Sequence, residues 1–207
     1  ADSSSTGRAQ TEFPAPAPSQ LRVRLFPDPV LRRPAAQLAT GPQDLPPVRE
    51  IAERMLELMR SLNGIGLAAP QVGLSWRMFV VDVPPPAQGD EDEEPCLEGA
   101  HCWTDGPEVY INPVLRNPEP RLEASDEGCL SLPGISGGVR RPGTITIEAT
   151  DLAGERFVKK GGGLLARCWQ HEFDHLEAVL IIDKMEEADR AKCRGAIRSL
   201  ERRSKKS

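Results

Sequence analysis

Histidine is scarce in this chain: there are three in 207 residues, so chemistry that needs imidazole has little to draw on. No apolar run is long enough to span a bilayer, which excludes a membrane-helix reading. No apolar core of the signal-peptide kind is found near the start. Positive charge is not in excess either. The formal net charge of -5 argues against general nucleic-acid binding and against direct DNA binding. The five Cys are an odd number without regular spacing. They predict reduced thiols in a reducing compartment, with at least one thiol reactive or metal-bound. The chain opens on Ala1 rather than Met, and the expectation is a processed or trimmed protein.

What is present suffices for one domain with tails and a sizeable core. Residues 1–20 are rich in Ser, Ala and Pro and read as a flexible arm. Leu21 to Leu25 alternates apolar residues with Arg, a short strand pattern broken by Pro27-Asp28-Pro29. Gly41 to Pro47 reads as a loop. Val48, Ile51, Met55, Leu58, Met59 and Leu62 then recur at helical spacing, and Asn63-Gly64 supplies a left-handed stop. Met78 to Val83 is a buried-type strand. Residues 84–107 read as a solvated loop insertion with an acidic run at Gly89–Glu94. Cys96, His101 and Cys102 within it match no closed zinc pattern. Val109 to Ile111 resumes strand, with Asn112-Pro113 as a turn, and Arg140 to Pro142 turns the chain again. Thr144–Ala149, the turn Asp151–Gly154 and Arg156–Lys159 form a hairpin, and Gly161-Gly162-Gly163 is a break. The last segment, from Glu186, is helical in propensity and ends in Arg202-Arg203-Ser204-Lys205-Lys206. That basic end is either a solvated surface or a docking site for something acidic.

Two of the three His stand in His171-Glu172-Phe173-Asp174-His175. On a helix, residues four apart share a face, so both imidazoles can reach one metal ion and Glu172 a water beside it. Leu164 and Cys168 continue the same stripe backward. A catalytic site of this type needs a third ligand. No His follows His175, and Glu177, Glu186, Glu187 and Glu201 lack a convincing ligand context. Upstream, Cys129 stands out in the turn Glu127-Gly128-Cys129-Leu130-Ser131. A thiolate with two imidazoles suits Fe(II), Zn, Ni or Co.

Gly64-Ile65-Gly66-Leu67-Ala68-Ala69-Pro70-Gln71, Glu127-Gly128-Cys129-Leu130-Ser131 and His171–His175, in this order, resemble the three motifs of the peptide deformylases. Asp28–Arg32, Asn112-Pro113 and Arg167–Met185 extend the resemblance over about residues 22–200. It implies an α+β fold, with antiparallel β-sheets around a central metal-binding HExxH helix, an N-terminal helix and a C-terminal helix. It implies removal of the formyl group from N-formylmethionine on nascent peptides by a metal-activated water. Carried over residue by residue, Cys129, His171 and His175 would be the metal ligands, and Glu172 the general base and acid. Gln71 and the Leu130 N–H would be oxyanion donors. Gly66 and Gly128 would hold the substrate backbone, and Ile65, Leu164 and Cys168 the methionine side chain, although ordinary core packing also explains those three. Glu127 and Asp174 would orient the ligands or pair with Arg141.

The resemblance further implies one divalent ion, with Fe(II) favoured in the cell; the sequence does not encode the oligomeric state, and a monomer is the default expectation. It implies docking on the ribosome through the basic C-terminal helix, and a bacterial cytoplasm, or a plastid or mitochondrial matrix in a eukaryote. The chain departs from the family pattern at Ala178, where Gly is usual, and at the small, polar Ile135-Ser136-Gly137-Gly138, which predicts a more open pocket mouth. The loop at 84–107 is also longer than in compact members. The competing readings are an HExxH protease, which the lack of a downstream ligand disfavours, and an inactive ribosome-docking adaptor, which intact Glu172 and Gln71 disfavour.

Overall fold

The computed structural model describes residues 16–41, 44–86 and 96–204. Most of the expected N-terminal arm, the acidic run at 89–94 and the last three residues lie outside them. Helix α1 spans Leu45–Ser61 and buries Val48, Ile51, Met55 and Met59 on one stripe. It begins three residues earlier than the hydrophobic spacing suggests. Pro46 and Pro47 sit in its first turn, where a missing N–H leaves no helical bond unmade. Its exit runs through Leu62 to Asn63, which adopts φ 56° as the expected left-handed stop.

Strands β1 (Gly66–Ala68), β2 (Met78–Val81), β3 (Glu108–Arg116), β6 (Thr144–Thr150) and β7 (Arg156–Gly162) form an antiparallel sheet in the order β1-β2-β3-β6-β7. Strands β4 (Leu122–Gly128) and β5 (Ser136–Pro142) pair separately as a two-stranded sheet. Successive side chains of a strand point to opposite faces, and β2 uses both. Met78 and Val80 pack with α1, while Phe79 and Val81 pack with α2 (Gly163–Leu176). The five-stranded sheet thus lies between the two helices. A third cluster gathers Leu132, Ile135 and Val139 with Ile181 and Ile182 of α3 (Ile181–Lys184) and Leu200 of α4 (Glu187–Ser204). The expected mixture of helices and antiparallel sheet is present.

Several local expectations need correction. Leu21–Leu25 is extended but not a strand: Arg24 N–H bonds to Gln71 O and Phe26 N–H to Ser131 O, two separate partners rather than a ladder. Asn112-Pro113 is not a turn but a bulge within β3. Asn112 takes φ 51° and its side chain bonds both Leu38 N and Leu38 O at 2.8 Å. Arg140–Pro142 lies in β5, not in a turn. Gly161 and Gly162 lie in β7 rather than in a break; a Cβ on Gly161 would come within 2.3 Å of the Trp169 ring, so the strand passes in close contact with α2.

The cysteines are not all reduced thiols. Cys96 and Cys102 form a disulfide, while Cys129, Cys168 and Cys193 are free. Nor is the insertion solvated throughout. His101 bridges to β7 through Lys160 O and Gly162 N, and Thr104 is buried in mutual hydrogen bonds with Val83.

Candidate metal centre

His171 and His175 lie four residues apart on α2, and β4 runs directly into Cys129. The Cys129 thiol and the two imidazoles offer donor atoms that all lie within 4.8 Å of one another. Cys129 Sγ is 3.4 Å from His175 Nε2. Tetrahedral coordination with ordinary metal–sulfur and metal–nitrogen bonds would place such a pair ~3.6 Å apart. The donor set therefore fits a single divalent ion. Burial pushes the pKa of His175 down, which keeps the imidazole in the neutral form a metal ligand needs.

Behind the donors lies a web of charge. His171 Nδ1 is 3.1 Å from Glu127 Oε2, which leaves Nε2 for the centre. Glu127 also accepts from Arg141 Nε at 2.5 Å, Arg141 Nη2 at 2.8 Å and Arg167 Nη1 at 2.8 Å. Arg141 reaches Asp174 Oδ2 at 2.8 Å, and Lys184 takes the other Asp174 oxygen. Burial pushes the Glu127 pKa up, but the hydrogen bonds and charges of Arg141 and His171 together outweigh it and hold the carboxyl well below the usual carboxylate range. The expected pairing of Glu127 and Asp174 with Arg141 is present.

Glu172 is buried, and its Oε2 has no hydrogen-bond partner among the described residues. Burial raises its pKa to about 7. The backbone of Gly66 passes directly over it, since a Cβ there would meet Glu172 Oε1 at 2.5 Å. Gln71 Oε1 accepts from Ala68 N–H at 2.8 Å, which turns Nε2 toward Ser131 Oγ (3.2 Å) and Cys129 Sγ (3.5 Å).

These groups open into a cavity of about 570 Å³. Ile65, Gly66, Gln71, Gly128, Cys129, Leu130, Leu164, Cys168, His171 and Glu172 all line it, so the residues singled out from the sequence come together. His175 is set behind that lining. Leu164 stands half exposed at the rim, whereas Cys168 both lines the cavity and belongs to the core packed on α2. Burial pushes the Cys168 thiol pKa up, so it stays protonated. Ile135 and Ser136 line the cavity, as expected of the pocket mouth, and Asn63, Asp126 and Arg167 also line it and were not anticipated. Two carried a readable signal: Arg167 is four residues before His171 on the same helical stripe, and Asp126 is the outward neighbour of Glu127 on a period-two strand.

A family model described as polypeptide deformylase matches residues 20–191. A peptide deformylase from Thermosynechococcus vestitus is 40% identical over 166 residues, 80% of this chain and 79% of that protein. The crystal structure of peptide deformylase from Thermotoga maritima shares 37% identity with a TM-score of 0.66, covering 80% of this chain and 97% of that one. A peptide deformylase structure from Plasmodium falciparum shares 33% identity with a TM-score of 0.75, covering 90% and 98%.

Proposed function

The chain belongs to the polypeptide deformylase family, metal-dependent hydrolases that remove the formyl group from N-formylmethionyl peptides, and we propose that Cys129, His171 and His175 hold the ion while Glu172 moves the proton. The observation that carries the assignment is the approach of those three donors to within 4.8 Å of one another, with the unpartnered Glu172 carboxylate in the same cavity. On this reading α2 is the central metal-bearing helix, and residues 21–207 work as one catalytic domain.

A divalent ion at these donors supplies Lewis-acid polarisation of the formyl carbonyl and makes a water acidic near neutral pH. Glu172, with its pKa raised to about 7, accepts the proton of the attacking water and delivers it to the departing amine. Gln71 Nε2 and the Leu130 N–H donate to the oxygen that gains charge; removing one such donor typically costs ~10²–10³ in rate. The Ala68 N–H that fixes Gln71 Oε1 keeps that amide pointed the right way before substrate arrives. β1 is an edge strand of its sheet, so the chain around Gly66 has backbone groups to offer an extended peptide, with Gly128 on the other side. Ile65, Leu164 and Cys168 form the apolar wall for the methionine side chain.

Fe(II) is the proposed cellular metal, supported by a mixed thiolate–imidazole donor set that Zn, Ni or Co would also fit. Arg190, Arg194 and Arg198 recur every four residues along α4 and share one groove with Ile197, where they outnumber the acids Glu187 and Glu201. This supports docking of a monomer on the polyanionic ribosome, checked by co-sedimentation with and without residues 187–207. Glu172→Gln tests the catalytic assignment. Anaerobically purified variant protein should keep its metal and lose nearly all turnover of formyl-Met-Ala-Ser, whereas substantial residual turnover would remove Glu172 from the reaction.

A further inference from the structure

The Cys96–Cys102 disulfide is joined to the cavity by a short chain of contacts. The loop it closes is pinned to the outer edge of β7: His101 N–H donates to Lys160 O and Gly162 N–H to His101 O, both at 2.9 Å. A Cβ on Gly162 would meet Cys102 Sγ at 3.2 Å and Ala100 Cβ at 3.5 Å, so the stapled loop lies directly on that glycine. Gly163 follows as the first residue of α2, takes φ 51° and donates its N–H to Gly143 O at 3.1 Å. The next residue is Leu164, half exposed at the cavity rim. Two glycines have no side chains with which to fix this junction, and the loop braces it from outside. Leu164 precedes His171 by two helical turns, roughly 10 Å. Slack at this end of α2 therefore reaches the rim before it reaches the metal donors.

The sulfurs are also within reach of a reagent. Neither cysteine is buried. Leu97 and Trp103, their neighbours in sequence, are large apolar residues 53% and 40% exposed. Accessible disulfides are the ones that thiols exchange with. We propose that Cys96–Cys102 is a redox-controlled positioning element: as a disulfide it holds Leu164 against the methionine side chain, and its reduction by a dithiol loosens that wall and weakens the preference for methionine. The proposal rests on the reading of this cavity as the formyl-peptide site. In the exchange, one thiolate of the dithiol attacks a sulfur of the pair and its second thiol then displaces the mixed disulfide. Two electrons and two protons end on Cys96 and Cys102 as thiols, and the reductant leaves as a disulfide.

The test uses nickel-loaded holoenzyme exposed to oxidised glutathione, before and after reduction by a phosphine, which leaves as its oxide with the oxygen of water. Titration of the denatured protein should find Cys96 and Cys102 blocked before reduction and free after it. Reduction should raise KM for formyl-Met-Ala-Ser by about three- to tenfold, part of what an apolar pocket contact is worth, and leave kcat and nickel content in place. KM for formyl-Ala-Ala-Ser should move much less, because that side chain does not reach the rim. Cys96→Ser with Cys102→Ser should behave as the reduced enzyme with or without phosphine. In Leu164→Ala the redox effect on the Met-to-Ala preference should vanish, as expected if the disulfide acts through that residue. An unchanged preference after the two thiols are freed overturns the proposal. So does a loss of turnover shared equally by both peptides, or a pair that oxidised glutathione cannot close. An oxidised enzyme unable to deformylate formyl-Met-Ala-Ser would instead count against the reading of the site itself.

Discussion

Behind the α2 wall of the cavity lie Trp169, Tyr110 and Phe79, with Tyr110 stacked on Phe79 and edge-on to Trp169. Behind the β4–β5 wall lie its own Glu127 and Arg141, paired with Arg167 and Asp174 of α2. The one buried residue of β4 is the charged Glu127. The α2 wall is thus backed by apolar burial and the β4–β5 wall by buried ion pairs that reach across to α2, and the proposed metal donors span the two: His171 and His175 come from the first, Cys129 from the second. Packing tolerates little change of shape, whereas a buried ion pair tolerates little change of charge. The contact between His171 Nδ1 and Glu127 ties the two walls together at the donor itself.

The largest effect should come from removing charge behind the second wall. Arg141→Met leaves Glu127 with Arg167 as its one guanidinium partner beside His171, and Asp174 with Lys184. Breaking a buried pair typically costs ~3–5 kcal/mol, and the surviving Arg167 contact should hold the loss near ~3 kcal/mol by denaturant unfolding. Metal affinity should fall about 10- to 100-fold, because the partner that orients His171 is loosened. An Arg141→Met protein as stable and as metal-loaded as wild type would mean that the web does not hold this wall. The matching change behind the first wall is Gly161→Ala, which drives a methyl into Trp169. Overpacking of this kind costs ~1–3 kcal/mol, and here the metal affinity should be retained. Equal loss of metal in the two variants would erase the distinction between the walls.

How much of this could be read from the chain follows the same division. His171, Glu172 and His175 were legible because helical spacing is local, and Gly128-Cys129 because a turn aims its side chains outward. The role of Arg167 was not: its partners are at Glu127, 40 residues away, and at Glu123 and Val139. Alternation at Leu21–Leu25 could not separate a strand from an extended segment whose two backbone bonds go to different places. Asn112-Pro113 has the residues of a turn, and a bulge uses the same positive φ and the same missing N–H. The Cys96–Cys102 pairing depends on how a six-residue separation closes against β7, which composition does not encode. Reduction, or Cys96→Ser with Cys102→Ser, should lower stability by ~2 kcal/mol on a chain-entropy basis for so short a loop. The change would be read as a fall in melting temperature that reductant produces in wild type and not in the double variant. Because Cys102 Sγ lies over Gly162, where β7 hands over to α2, the loss should fall on the packed wall and leave metal affinity in place.

The smallest test concerns Ala178, two residues after α2 ends, where the chain takes φ 61°. This left-handed conformation is one that a residue with a Cβ adopts at a cost, and the alanine bears it. That cost is ~1–2 kcal/mol for a residue with a Cβ, against which Gly would lose ~0.5–1 kcal/mol of chain entropy on folding. Ala178→Gly should therefore stabilise the protein by ~0.5 kcal/mol in denaturant unfolding. The carbonyl of Ala178 accepts from Arg32, whose guanidinium also grips Asp183 at the start of α3, so the turn is fixed from outside. Destabilisation by Ala178→Gly would mean that the methyl contributes packing beyond the strain it carries, and that the end of α2 belongs more to the packed wall than its backbone suggests.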